Sequence, residues 1–217
     1  MTRDPVSPES MTVVALSAAY GAAGSQVGPA LAERLGVPFI DRGIALAVAE
    51  RLEIPVDDAL ALEEQGSNTL LHRLLSGFLG ADTGAPIALP PDAVTPEDFH
   101  RASREALLTQ AATGHGVILG RGAVAALRTD PRVLRVRLTG SEDRRIRHAM
   151  RVRDLDRDTA ERTVRALDRA HADYLRQFYD VDILDPSLYH LVIDATAFAT
   201  DDCVRLIAAA VGCLSES

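Results

Sequence analysis

The sequence predicts an α/β protein built on a doubly wound, five-stranded parallel sheet with a helical, arginine-rich lid. Three observations predict it. Val13–Leu31 reads as a short buried strand, a small-residue loop and then a helix. Further short apolar runs alternate with helical patterns down the chain, as a parallel sheet covered by helices requires. The 217 residues suit one domain with a sizeable core. Residues 1–11 read as a flexible polar tail, 12–217 as a single domain, and about 144–176 as its lid.

Thr12–Ser17 is the first apolar run, continuous enough for a strand buried on both faces. Gly24–Leu35 carries Val27, Leu31 and Leu35 four apart, a helical stripe that Gly36 ends. Val37–Ile40 is a second short strand, with Asp41-Arg42-Gly43 at its carboxyl end. Ile44–Leu52 reads as helix up to Pro55, Val56–Gly80 as two short helices, and Gly84–Pro96 as a Pro- and Ala-rich loop. Thr95 is placed to cap a helix with Pro96 at its first position, running to about Thr113. Val117–Leu119 is the third strand, Ala123–Leu127 a short helix and Val133–Leu138 the fourth strand, whose alternation predicts a more exposed face.

Ser141 is placed to cap a helix with Arg144, Arg147 and Arg151 on one face. A charged connector, 151–157, leads to a second helix for which Asp158 and Glu161 form a capping pair. There Arg162, Arg165 and Arg169 repeat the spacing. Leu191–Asp194 is the fifth strand and Thr200–Cys213 the closing helix.

A net charge of −8 argues against generic binding to nucleic acid or anionic membranes. The charge is uneven: nine of the 23 basic residues lie in 144–169, and all 23 are arginine. That segment reads as a local anion site. No apolar run is long enough to cross a membrane, and Met1–Ser10 lacks the apolar core of a signal peptide. Cys203 and Cys213 sit ~15 Å apart along one helix, too far for a disulfide. They read as reduced core residues of a cytoplasmic protein. The six histidines show no metal-ligand spacing and no nucleophile stands out.

Four constellations carry chemistry. A glycine-containing loop between strand and helix, Tyr20-Gly21-Ala22-Ala23-Gly24-Ser25-Gln26, is where backbone N–H groups cradle phosphates. Read alone, it is equally a tight turn without a ligand. The G-x-x-x-x-G-K-[ST] pattern needs a lysine, and this chain has none. Gly120-Arg121-Gly122 puts an arginine at a strand's carboxyl end, either reaching a phosphate or solvated in a turn. The paired arginine faces form either a lid over transferring phosphates or a solvated surface. Asp41 and Arg42, with Asp168 and His171, are candidates for acceptor recognition, although Asp41 also suits a helix N-cap.

Together, these residues resemble the cytidylate-kinase-like family of P-loop nucleoside monophosphate kinases from about Thr12 to Gly212. Relatives read S-R-x-Y-G-S-G-G-R-E-I-G where this chain has S-A-A-Y-G-A-A-G-S-Q-V-G at Ser17–Gly28. The relatives' P-[FY]-[YI]-D-[RK] is present as Pro38–Arg42, V-I-[VL]-G-R-G-A as Val117–Ala123, and D-x-P-x-V-L-R-V as Asp130–Val136. The resemblance implies a P-loop fold and ATP-dependent phosphoryl transfer, with Mg²⁺, to a nucleoside monophosphate, CMP or dCMP. It places the donor phosphates on Tyr20–Gln26 and the acceptor at Asp41, Arg42, Arg121, Asp168 and His171. It gives catalytic roles to Arg121, Arg144 and Arg147, and implies no protein-held metal. Ser25 and Gln26 stand where relatives carry a cation, Ala22 and Ala23 put Cβ atoms where glycine lets the backbone approach a phosphate, and His171 replaces the arginine of a D-x-x-R pair. Two other readings are a catalytically impaired nucleotide-binding protein of the same fold and a scaffold whose arginines meet an acidic partner.

Overall fold

The computed structural model describes residues 12–40, 96–120 and 122–214. Five parallel strands form one sheet in the order β2-β3-β1-β4-β5. They are β1 (Thr12–Ala18), β2 (Phe39–Ile40), β3 (His115–Leu119), β4 (Val133–Thr139) and β5 (Leu191–Asp194). The helices are α1 (Gly24–Leu35), α2 (Pro96–Ala112), α3 (Ala123–Ala126), α4 (Glu142–Arg153), α5 (Arg157–Tyr179) and α6 (Thr200–Leu214). The expectations for Ile44–Leu52, Val56–Gly80, the Gly84–Pro96 loop and the Thr95 cap lie outside the described residues. So do those for Asp41, Arg42 and Arg121.

Central strand β1 alternates its side chains between two cores. Val14 and Leu16 join Val27 and Leu31 of α1 and Cys203 and Ile207 of α6 on one face. Val13 and Ala15 join Leu107 of α2 and Val124 and Leu127 on the other. The chain leaving β1 thus passes to one face and the chain leaving β3 to the opposite face. Adjacent parallel strands that part in this way open a crevice at their carboxyl ends, where open α/β sheets bind ligands. The Tyr20–Ala23 loop, Gly120 and Gly122 border that crevice.

Four local expectations are corrected. β4 is covered on both faces, so even Arg137 is 9% exposed. The N-cap of α5 is Asp156, whose carboxylate accepts the Thr159 N–H at 2.9 Å, two residues before the expected Asp158. Ser141 occupies the N-cap of α4 without a side-chain capping bond. Cys203 is buried but Cys213 is exposed, because it lies on the face of α6 turned away from the core that Val211 and Leu214 still meet.

Candidate active site

The loop after β1 turns twice through left-handed backbone, at Gly21 (φ +79°) and Ala23 (φ +58°), before α1 begins at Gly24. A Cβ at Gly21 would lie 2.5 Å from the Arg145 carbonyl oxygen, so only glycine lets α4 cross this close. Ala22 is fully buried in the core beneath α1 and α6, so its Cβ points away from the crevice. The expectation that it obstructs a phosphate is corrected. Ala23 keeps a Cβ on the open side in a conformation that costs a non-glycine residue ~1 kcal/mol. Ser25 and Gln26, in the first turn of α1, are exposed.

Over this turn lies a cleft of about 510 Å³. Ala23 and Gln26 form one wall. Arg144, Arg147, His148 and Arg151 of α4 form the second, and Ala195–Thr200 after β5 supply much of the third. The arginine face read from the spacing in α4 is therefore the cleft face. Arg144 reaches Asp194 at 3.7 Å and Arg147 pairs with Asp143. The Thr196 hydroxyl, ahead of the Thr196 backbone N–H and the Arg144 charge, holds the Asp194 carboxyl below its usual range. Burial, then the Arg151 charge, lowers His148. Three guanidiniums facing a helix N-terminus make a strongly anion-attracting cleft. The α5 arginines behave differently: Arg165 bonds Glu142 and Glu161, each at 2.8 Å, and Arg162 bonds Thr159, all on exposed surface.

Asp168 is joined to the loop rather than standing apart from it. Its Oδ1 accepts the Tyr20 N–H at 3.1 Å and its Oδ2 accepts Arg145 Nη1 at 2.7 Å. The same Arg145 donates from Nη1 to the Tyr20 carbonyl at 2.9 Å and from Nε to the Gly140 carbonyl at 3.0 Å. The Tyr20 ring packs on the small core between α4 and α5, formed by Ile146, Ala149, Ala160 and Val164. Arg145, 8% exposed, is the residue that sequence reasoning missed. Its signal was its place beside Ile146 and four before Ala149 on the apolar stripe of α4.

His171, one turn along α5 from Asp168, is pushed down to about 4, chiefly by burial and then by Arg137, with Asp168 opposing. Gly120 (φ +76°) and Gly122 (φ +67°) give the turn after β3 its left-handed backbone. A Cβ at Gly122 would meet the Tyr179 ring at 2.7 Å, so this glycine lets the turn close against α5. Among the described residues, no group of three His, Cys, Asp or Glu side chains is placed to hold a metal ion. Nor is any helix there long and apolar enough to cross a membrane.

A family model described as "Cytidylate kinase-like family" matches residues 13–197. The chain belongs to the cytidylate kinase-like family. A 53-residue stretch is 36% identical to a cytidylate kinase of Methanoregula boonei, covering 24% of this chain and 29% of that protein. This cytidylate kinase-like chain also superposes on an uncharacterized protein from Eubacterium ventriosum with a TM-score of 0.64 and 16% identity, over 93% of this chain and 98% of that one. Shikimate kinase from Bacteroides thetaiotaomicron superposes with a TM-score of 0.53 and 16% identity, over the same 93% and 98%. The architecture is that of the P-loop kinases.

Proposed function

We propose that this protein is an ATP-dependent nucleoside monophosphate kinase acting on CMP or dCMP. The observation that carries the reading is the cleft in which Arg144, Arg147 and Arg151 face the N-terminus of α1. Family membership supports the kinase class, and the Methanoregula boonei cytidylate kinase supports the acceptor.

An oxygen of the acceptor phosphate attacks the γ-phosphorus of ATP. The bond from that phosphorus to the β,γ-bridging oxygen breaks, ADP leaves and a nucleoside diphosphate forms. No side chain need become a covalent nucleophile. Charge spreading over the transferring oxygens is met by Arg144 and Arg147, which take the part that a loop lysine plays elsewhere. The Tyr20, Ala22 and Gln26 N–H groups are taken by Asp168, Ala19 and Ala23; the other N–H groups of Tyr20–Gln26 hold the donor phosphates, and Asp41, Arg42 and Arg121 hold the acceptor. Mg²⁺ would arrive with the triphosphate as part of the substrate, bound mainly by phosphate and water, and would supply charge neutralisation at the transferring oxygens.

A panel of ribo- and deoxyribonucleoside monophosphates with Mg·ATP tests this. Conversion of CMP or dCMP to the diphosphate is expected, and no turnover of any member overturns it. Ser25 and Gln26 in place of a cation favour a second reading, a nucleotide-binding protein with impaired transfer. That reading expects calorimetric nucleotide binding without turnover and a gain of turnover in Ser25→Lys. Robust turnover by the unaltered protein excludes it.

A further inference from the structure

Arg137 near the carboxyl end of β4 is a buried cation whose charge no described residue matches. It lies beside Ser17, the β1 residue three before the loop begins to turn at Tyr20. Its Nη1 donates to Ser17 Oγ at 3.2 Å and to the Tyr189 hydroxyl at 3.5 Å. Both partners are neutral. Tyr189 already donates its own proton to the Ile183 carbonyl at 2.8 Å, and its ring lies 5.8 Å from the guanidinium carbon. The Nε and Nη2 groups have no partner among the described residues. The carboxylate at this corner, Asp168, is held by Arg145. His171 is lowered by burial and by Arg137 itself, so the imidazole is neutral at physiological pH and adds no charge. With that carboxylate taken by Arg145, the Arg137 charge has no carboxylate partner among the described residues.

The unpartnered edge is not among the buried unsatisfied groups, so it stays open to solvent, and a mostly buried guanidinium with no counter-charge is stabilised when an anion reaches such an edge. Arg137 shares its sheet face with the core beneath α2 and α3, opposite the face that α1 covers. That is the side of the crevice toward Gly120 and Gly122 and away from the donor cleft.

We propose that Arg137 is an anion-binding residue of the acceptor site, its free Nε and Nη2 edge taking the phosphate of the acceptor in a forked pair of hydrogen bonds. The assignment of the anion to the acceptor rests on the kinase reading above, whereas the anion site itself does not. A planar fork with a fixed charge suits two phosphate oxygens. Ser17 and Tyr189 hold the guanidinium without cancelling it.

Calorimetric titration with inorganic phosphate tests the site, using the full chain, Arg137→Gln, Arg137→Lys and the double variant Arg147→Ala, Arg151→Ala. One phosphate-binding event is expected to survive in the double variant and to weaken at least tenfold in Arg137→Gln, with Arg137→Lys between. Thermal unfolding of Arg137→Gln is expected at or above that of the unaltered protein, since an unmatched buried charge is removed. Equal phosphate binding in Arg137→Gln overturns the proposal. So does destabilisation of both Arg137 variants, which would make the residue a structural strut. CMP turnover by the unaltered protein is scored separately. Turnover with Arg137-independent phosphate binding defeats this inference alone, and Arg137-dependent phosphate binding without turnover of any monophosphate defeats the kinase reading alone.

Discussion

Helices α4 and α5 carry arginines at the same spacing, yet they use them in opposite ways. On α4 the residues at 144, 147 and 151 face the cleft over α1. On α5 the residues at 162, 165 and 169 are exposed, and those at 162 and 165 bond to nearby side chains. Equal spacing guarantees a shared face but not what the face looks at. The difference comes from the seating of α4: its backbone crosses Gly21, and Arg145 ties it to Tyr20 and Gly140. That seating turns one arginine row toward the loop and leaves the other to solvent.

The largest expected effect comes from undoing the seating. Arg145→Met strands the Asp168 carboxylate and the Tyr20 carbonyl, and it is expected to cost about 3 kcal/mol in urea unfolding, at the low end for a broken buried pair because Asp168 is partly exposed. A loss below 0.5 kcal/mol would remove the explanation offered here for the asymmetry. Next comes the cleft row. Arg147→Ala combined with Arg151→Ala is expected to weaken binding of a non-hydrolysable ATP analogue tenfold to a hundredfold, about 1.4–2.7 kcal/mol, while the urea midpoint barely moves. Unchanged affinity would make the two rows equivalent after all.

A pH effect follows from His171. Its folded-state value of about 4 lies below the ordinary 6.5, so the unfolded chain binds the extra proton between those values. Stability present at neutral pH is lost as pH falls from 6.5 toward 4, by about 1–2 kcal/mol down to pH 5. His171→Gln is expected to flatten that part of the urea-midpoint profile, and an unaltered profile would show the imidazole to be freely solvated. The smallest effect belongs to the solvent row. Arg165→Ala is expected to leave the urea midpoint unmoved within error, at low and at high salt, and to leave nucleotide binding alone. A tenfold loss of affinity there would erase the comparison.

Much of the fold was legible because its signals are local. Gly24–Leu35 and Leu191–Asp194 are found where periodicity puts them, since an apolar stripe ended by Gly36 and a short apolar run depend on few neighbours. The α4 arginine face was legible for the same reason. What escaped depends on neighbours distant in sequence. Arg137 in an alternating strand suggested exposure, and only the sheet order, with β5 beside β4 and helices on both faces, buries it. Arg145 sits among charged residues and reads as one more surface cation, yet its partners Tyr20 and Asp168 are 125 and 23 residues away. Ala22 looked like an obstruction because sequence gives no side-chain direction within a turn, and the backbone points that Cβ into the core.

Asp168 accepts the backbone N–H at Tyr20 with one oxygen and the Arg145 guanidinium with the other. One carboxylate thus belongs at once to the loop over which the arginine-lined cleft opens and to the helix that carries His171. A ligand that recruits Asp168 must loosen its hold on Tyr20, and a ligand that stiffens the Tyr20 turn must make Asp168 harder to recruit. Thermodynamic linkage makes that coupling reciprocal. The factor by which one ligand alters affinity for the other is the same in both directions, so the strength of that coupling is set by a single side chain's choice of partners.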